Sequence, residues 1–176
     1  MGRNSTGGGG GSRGGLSDAE QQAVISYQGG LNYPLNAQLR SGTGILGRGE
    51  VADLTRNLDL ATGRHAVPSR VYRGVGPGTA AKLKVGGTLT DKGYSSTSVK
   101  RSVAAKFASK TPGGALIEIR VPKGQRGIKI ADRSYSRDAE FLLPRGTSLR
   151  VTSVRRVKVG GRYVTVARAR IVRRRR

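Results

Sequence analysis

The sequence predicts an α+β domain in which helices come first and antiparallel strands follow. Three observations predict it. Apolar residues recur at helical spacing up to about residue 60, the period changes to that of strands after Pro68, and the chain closes on a long alternating hairpin.

The elements read off in order. Ser17 and Glu20 form a capping box ahead of Ala23, Val24 and Tyr27, so a helix begins there and Gly29-Gly30 ends it. A short helix follows Pro34 and carries Asn36 and Arg40 on one face at i and i+4. Val51, Leu54 and Leu58 mark a third helix over Glu50 to Leu60. Val71 to Val75 reads as a strand, Thr79 to Lys84 as a helical turn, Tyr94 to Val99 as a strand and Val103 to Phe107 as a short helix. Ala115 to Val121 is a buried strand, Gly127 to Ile130 a short one, and Glu140 to Leu143 another. Leu149 to Val159 and Arg162 to Val172 make the hairpin about Gly160-Gly161, with apolar and basic residues alternating.

The first fifteen residues hold eight glycines and no apolar residue after Met1, so they cannot bury surface and are expected to be a disordered linker. The folded domain is expected over 16–172, with 173–176 as a basic tail. No apolar segment is long enough to span a bilayer, and none has the form of a signal peptide. There is no cysteine, and the one histidine, His65, sits in a polar stretch expected to be a solvated loop. Thiolate nucleophiles and His-pair metal sites are therefore excluded, and no metal is expected. Any catalysis rests on carboxylates and arginines.

Those carboxylates are scarce: ten against 33 Lys and Arg, for a net charge of +23. After Glu140 no acidic side chain follows, while twelve cationic ones do, ending in Arg173 to Arg176. Such a balance favours polyanionic partners: nucleic acid, or acidic and nucleic-acid-associated proteins such as a ribosome or RNA polymerase. The alternative is a solvated face with a solubilising tail.

Against this background Tyr135-Ser-Arg-Asp-Ala-Glu-Phe-Leu-Leu143 stands out, because Asp138 and Glu140 would project from one face of a strand. Taken alone, the pair reads as two solvated acids. Two further segments alter that: Val71-Tyr-Arg-Gly-Val75, a strand broken by one arginine, and Gly93-Tyr-Ser-Ser-Thr-Ser98, a hydroxyl run after a turn. An aromatic-Arg strand, a Ser-Thr-Ser strand and an acid-x-Glu strand, in that order, resemble the R-S-E class of mono-ADP-ribosyltransferase toxins, in particular the clostridial Rho-modifying exoenzymes and the enzymatic domains of actin-modifying binary toxins. The resemblance runs from Leu16 to Val172.

The resemblance implies two antiparallel sheets packed nearly orthogonally around an NAD cleft, with NAD as co-substrate. It implies roles as well. Glu140 would be the catalytic glutamate, since cleaving the nicotinamide–ribose bond passes through an oxocarbenium-like state that a fixed carboxylate stabilises. Ser96 would hydrogen-bond Glu140, with Thr97 and Ser98 completing the motif. Arg73 would meet the diphosphate or ribose, Gly74 would admit the cofactor to the backbone, and Asn36 with Arg40 would grip the adenylate half. Phe107 belongs to the loop that closes over nicotinamide, and Lys110 stands near the family's phosphate-contacting arginine. Tyr135 and Asp138 fall on the target-recognition loop. Asp138 departs from the family's Glu or Gln, and a carboxylate there favours an arginine acceptor. The function implied is ADP-ribosyl transfer from NAD to a protein, in a toxin domain or a bacteriophage protein. The alternatives are modification of nucleic acid, NAD hydrolysis alone, or an inactive nucleic-acid-binding module.

Overall fold

The computed structural model describes residues 15–130, 140–159 and 162–172. The linker and tail expected at the two ends thus lie outside the described residues, apart from Gly15. Among the described residues no helix is long and apolar enough to cross a membrane.

Helix α1 (Asp18–Ser26) starts at the expected capping box: the Glu20 amide donates to Ser17 Oγ at 3.3 Å and the Ser17 amide to Glu20 Oε2 at 2.8 Å. Glu20 is itself buried and also accepts from Arg64, at 2.6 Å, which ties α1 to the end of the third helix. The glycine pair does not end the helical run with a loop. A π-turn (Tyr27–Leu31) takes the kink at Gly30, whose φ of 125° suits glycine, and α2 (Asn32–Ser41) follows at once. Helix α3 spans Arg48–Ala61.

The strands are β1 (His65–Ala66), β2 (Arg70–Val75), β3 (Thr88–Thr90), β4 (Ser95–Ser98), β5 (Ala115–Arg120), β6 (Arg126–Ile130), β7 (Glu140–Leu143), β8 (Ser148–Val159) and β9 (Arg162–Val172). Helix α4 (Pro77–Ala80) lies between β2 and β3, and α5 (Arg101–Ser109) between β4 and β5. Two short strands, β1 and β3, escape the periodicity reading because two or three residues are too few to show a period. His65 lies in β1 rather than a solvated loop: it is half-buried, and its Nδ1 accepts from the Lys129 amide at 3.3 Å.

The expectation of two antiparallel sheets is corrected. The strands form one nine-stranded sheet in the order β1-β6-β7-β4-β2-β5-β9-β8-β3, and it is mixed, because β5 and β9 run parallel. It cannot be flat. Segments 91–94 and 144–147 each join strands five places apart, β3 to β4 and β7 to β8. Five spacings in a flat sheet come to about 24 Å, whereas such a connector reaches at most about 18 Å. The two connectors are also hydrogen-bonded to each other, Gly146 N to Asp91 O at 2.7 Å and Asp91 N to Thr147 O at 3.2 Å.

The sheet therefore folds over on itself, with Val71, Ile117, Ile119, Phe141, Leu143, Val151 and Ala169 in the core between its arms. The bend falls at β4 and β2, which share a single register pair, Tyr72↔Ser98. The packed sheets of the sequence reading are thus the two arms of one hinged sheet. Helices α1–α3 cover the outer face of one arm through Leu35, Leu58, Ile128 and Leu142, and α5 covers the other through Ala104, Ala108, Leu116 and Val166.

Candidate active site

The hinge leaves a cleft of about 630 Å³ between the N-terminal helices and α5. Its walls draw on α2 (Asn36, Arg40), β2 (Arg73, Gly74), β4 (Ser96, Thr97, Ser98), α5 (Phe107) and β7 (Glu140). Nine of the residues singled out in the sequence thus meet in one place, from segments more than a hundred residues apart. Lys110 is not among the lining residues; its Nζ sits 4.3 Å from the Phe107 ring centroid. Tyr135 and Asp138 lie outside the described residues.

Strand order does the gathering. β7, β4 and β2 are neighbours, and their register sets Glu140 opposite Ser98, with Ser96 opposite Leu142. Ser96 is the diagonal neighbour of Glu140 on the same face. Ser96 also lies against the Tyr27 hydroxyl, which feels the charges of Arg73 and Glu140. Burial pushes the Tyr27 phenol up, so the hydroxyl remains protonated beside the site. Thr97 faces the other way: its hydroxyl, buried, donates to the Phe141 carbonyl at 2.7 Å and locks β4 to β7.

Two residues have structural duties that sequence alone did not assign. The Asn36 Nδ2 donates to the Tyr27 hydroxyl at 2.8 Å, and its Oδ1 accepts from the Tyr94 amide at 2.7 Å. This fixes α2 against the start of β4. At Gly74 a Cβ would meet the Ala104 carbonyl oxygen and fall 2.6 Å from Phe107 Cβ and 2.7 Å from the Ala108 amide nitrogen. The glycine is needed for α5 to lie down on β2, whatever else approaches it.

The residue that sequence reasoning missed is Asp91. Its carboxylate accepts from Arg40 Nε at 2.8 Å and Nη2 at 3.0 Å, from Arg73 Nη2 at 3.0 Å, from the Gly93 amide at 3.0 Å and from Ser95 Oγ at 3.1 Å. Burial by itself would raise the Asp91 carboxyl, but the Arg40 hydrogen bonds, the Arg73 and Arg40 charges and the Gly93 amide outweigh it and hold it below the usual carboxylate range. Asp91 thus aims both arginines into the cleft from the connector where the sheet's arms meet. The signal in the sequence was only its rarity, one of ten acids, in a turn just before the hydroxyl run. Nothing local says that residues 18 and 51 positions away converge on it.

The sequence profile of the family described as ADP-ribosyltransferase exoenzyme matches residues 11–173. The chain belongs to that family. As an ADP-ribosyltransferase it is NAD-dependent by family, and solved relatives share its fold. Plx2a, an ADP-ribosyltransferase toxin from Paenibacillus larvae, superposes with a TM-score of 0.73 at 24% identity over 90% of this chain and 88% of that one. C3larvin toxin from the same organism gives 0.71 at 22% identity, over 90% and 89%. BECa, the ADP-ribosylating toxin of a C. perfringens binary enterotoxin solved with NADH, gives 0.74 at 19% identity, over 89% of this chain and 44% of that one. No protein of curated function matches the transferase.

The cleft suits NAD on its own terms. Its volume lies in the range of small-ligand sites. It offers two guanidiniums for a diphosphate, and hydroxyls with a carboxylate for a ribose.

Proposed function

We propose that the transferase moves ADP-ribose from NAD to an arginine side chain of a protein acceptor, releasing nicotinamide. One observation carries the transfer from NAD: Arg73, Ser96 and Glu140 face a single cleft from three neighbouring strands, β2, β4 and β7. NAD would supply the ADP-ribosyl group, with nicotinamide as the leaving group.

The chain's own residues divide the work. Arg73 and Arg40, aimed by Asp91, receive the diphosphate through planar forks suited to paired oxyanion contacts. Arg73 is the better desolvated, its side chain 20% exposed against 45% for Arg40, so its contacts are the less screened. Ser98 and Ser96 border Glu140 and limit where its carboxylate can point. Glu140 then accepts a hydrogen bond from a ribose hydroxyl and opposes the positive charge that develops as the glycosidic bond breaks. Phe107, 54% exposed on α5, offers an apolar ring at the mouth of the cleft. Asn36, held by Tyr27 and Tyr94, is fixed for the adenylate side. The arginine acceptor rests on Asp138, whose carboxylate would accept from a guanidinium and assist its deprotonation.

The test is nicotinamide release and label transfer from adenylate-labelled NAD, with protein lysate and with agmatine as a small guanidinium acceptor. The fold relative Vis toxin, from Vibrio splendidus, has been solved with agmatine. The expected result is label on agmatine and on lysate protein, removed by protease and resistant to nuclease. In Glu140→Gln, which keeps the fold, both activities should fall about a hundredfold or more. Label removed by nuclease would instead indicate a nucleic-acid acceptor. Nicotinamide release without label would indicate NAD hydrolysis alone. No turnover in the wild type would leave an inactive binding module.

A further inference from the structure

The sheet carries a row of four arginines that the NAD chemistry does not use. Register places Arg70 opposite Arg120, Arg120 opposite Arg170, and Arg170 opposite Arg150, across the adjacent strands β2, β5, β9 and β8. Directly paired residues share a face, so the four guanidiniums form one line about 14 Å long. All four are exposed, and among the described residues none of them forms an ion pair.

Like charges set directly opposite destabilise a sheet, so this row costs the fold stability, and among the described residues no acidic side chain pairs with it to offset that cost. Two residues along the same strands the arrangement is different: Glu118 stands between Arg101 and Arg168 and accepts from each at 3.2 Å. That neighbouring row has a carboxylate to pair its arginines and lies beside α5. The arginine row has no such carboxylate among the described residues.

We propose that Arg70, Arg120, Arg170 and Arg150 form a docking strip for the phosphate backbone of double-helical nucleic acid. Planar guanidiniums at sheet spacing offer repeated two-pronged contacts to phosphate oxygens. The row contains no large apolar or aromatic side chain. An acidic protein would need such an anchor to bury, and a single strand would need a platform on which to stack its bases. Arg70 lies two residues from Tyr72, a wall of the cleft, on the same sheet face. The strip would therefore hold the transferase on a nucleic-acid-bearing assembly with its active site nearby. It does not depend on NAD turnover, and its failure leaves the proposed transfer untouched.

The test is fluorescence anisotropy of the full-length protein with a labelled 20-base-pair DNA duplex of mixed sequence, titrated between 50 and 200 mM salt. Each phosphate contact contributes about 0.9 to the slope of log affinity against log salt. Replacing all four arginines with Gln should lower that slope by about 3.6. Over this fourfold change in salt, the wild type should lose about 150-fold more affinity than the variant. Thermal melts give an opposite-sign control: Arg120→Gln should raise the Tm at low salt by relieving repulsion, while weakening duplex binding. An unchanged slope overturns the proposal, as does tighter binding to poly-glutamate or to a single strand of equal length. A lower Tm in Arg120→Gln would show that the row serves the fold and would overturn it too.

Discussion

Replacing Asp91 with Asn tests whether one carboxylate organises the cleft. Asn keeps one acceptor oxygen and puts an NH2 where the second oxygen stood. If that group takes the Oδ2 place, it faces Arg40 Nη2, Arg73 Nη2 and Ser95 Oγ, which are all donors in the wild type. A hydrogen bond to a charged partner contributes about 1.5–3 kcal/mol net, and the Arg73 contact, with both side chains 20% exposed, belongs in that range. Arg40 is 45% exposed, so its share falls to about 1 kcal/mol, the value of a screened surface pair. The expected loss is about 3 kcal/mol, or about 6–12 °C in Tm for a domain of this size. With Arg73 no longer aimed, the KM for NAD should rise about tenfold, one hydrogen bond's worth. The pH dependence supplies a sign. Asp91 titrates below its ordinary value when folded, so its contribution is present above about pH 4 and is lost as the pH falls through the lower folded value. The Tm gap between wild type and Asp91→Asn should be constant from pH 5 to 8 and narrow below pH 4. Thermal melts by circular dichroism at pH 7 and pH 3, with nicotinamide release at pH 7, measure all of this. A gap under 1 °C at pH 7, or one that widens in acid, would refute the reasoning.

Three further outcomes are expected. Gly74→Ala forces a Cβ into the backbone of α5, which should cost about 1–3 kcal/mol and reduce nicotinamide release with it; a melt at the wild-type temperature would mean that α5 shifts freely. Asp138→Ala should lower transfer to agmatine about a hundredfold while NAD hydrolysis changes far less, and Asp138→Glu should retain transfer; equal loss of both activities in Asp138→Ala would move that residue from acceptor recognition to the fold. Removing Arg173 to Arg176 should leave nicotinamide release unchanged and flatten the salt dependence of nucleic-acid association; altered hydrolysis with unaltered association would make the tail part of the fold.

Glu140, Arg73 and the Ser96–Ser98 run were legible in the sequence only as a set, because each segment is unremarkable by itself and it is their order along the chain that resembles the R-S-E class. The order of elements was legible as well, since period two and period 3.6 are local properties of the chain. The short strands β1 and β3 were not, being too brief to carry a period. Nor was the way the strands join. One hinged sheet and two packed sheets bury the same alternating residues, and local patterning cannot tell them apart. The difference lies in two four-residue connectors that cannot span a flat sheet, and in the parallel pairing of β5 with β9. Asp91 was hidden for the same reason, because its partners Arg40 and Arg73 reach it only once the arms of the sheet have folded together. The arginine row, too, appears only when register aligns four residues spread over a hundred positions of chain. Sequence by itself determined the elements and the chemistry available to them. Tertiary structure decided which of those groups share a cleft, which brace one another and which line up on one face, because contacts between distant residues are set by strand order and register, which are global properties of the packed chain.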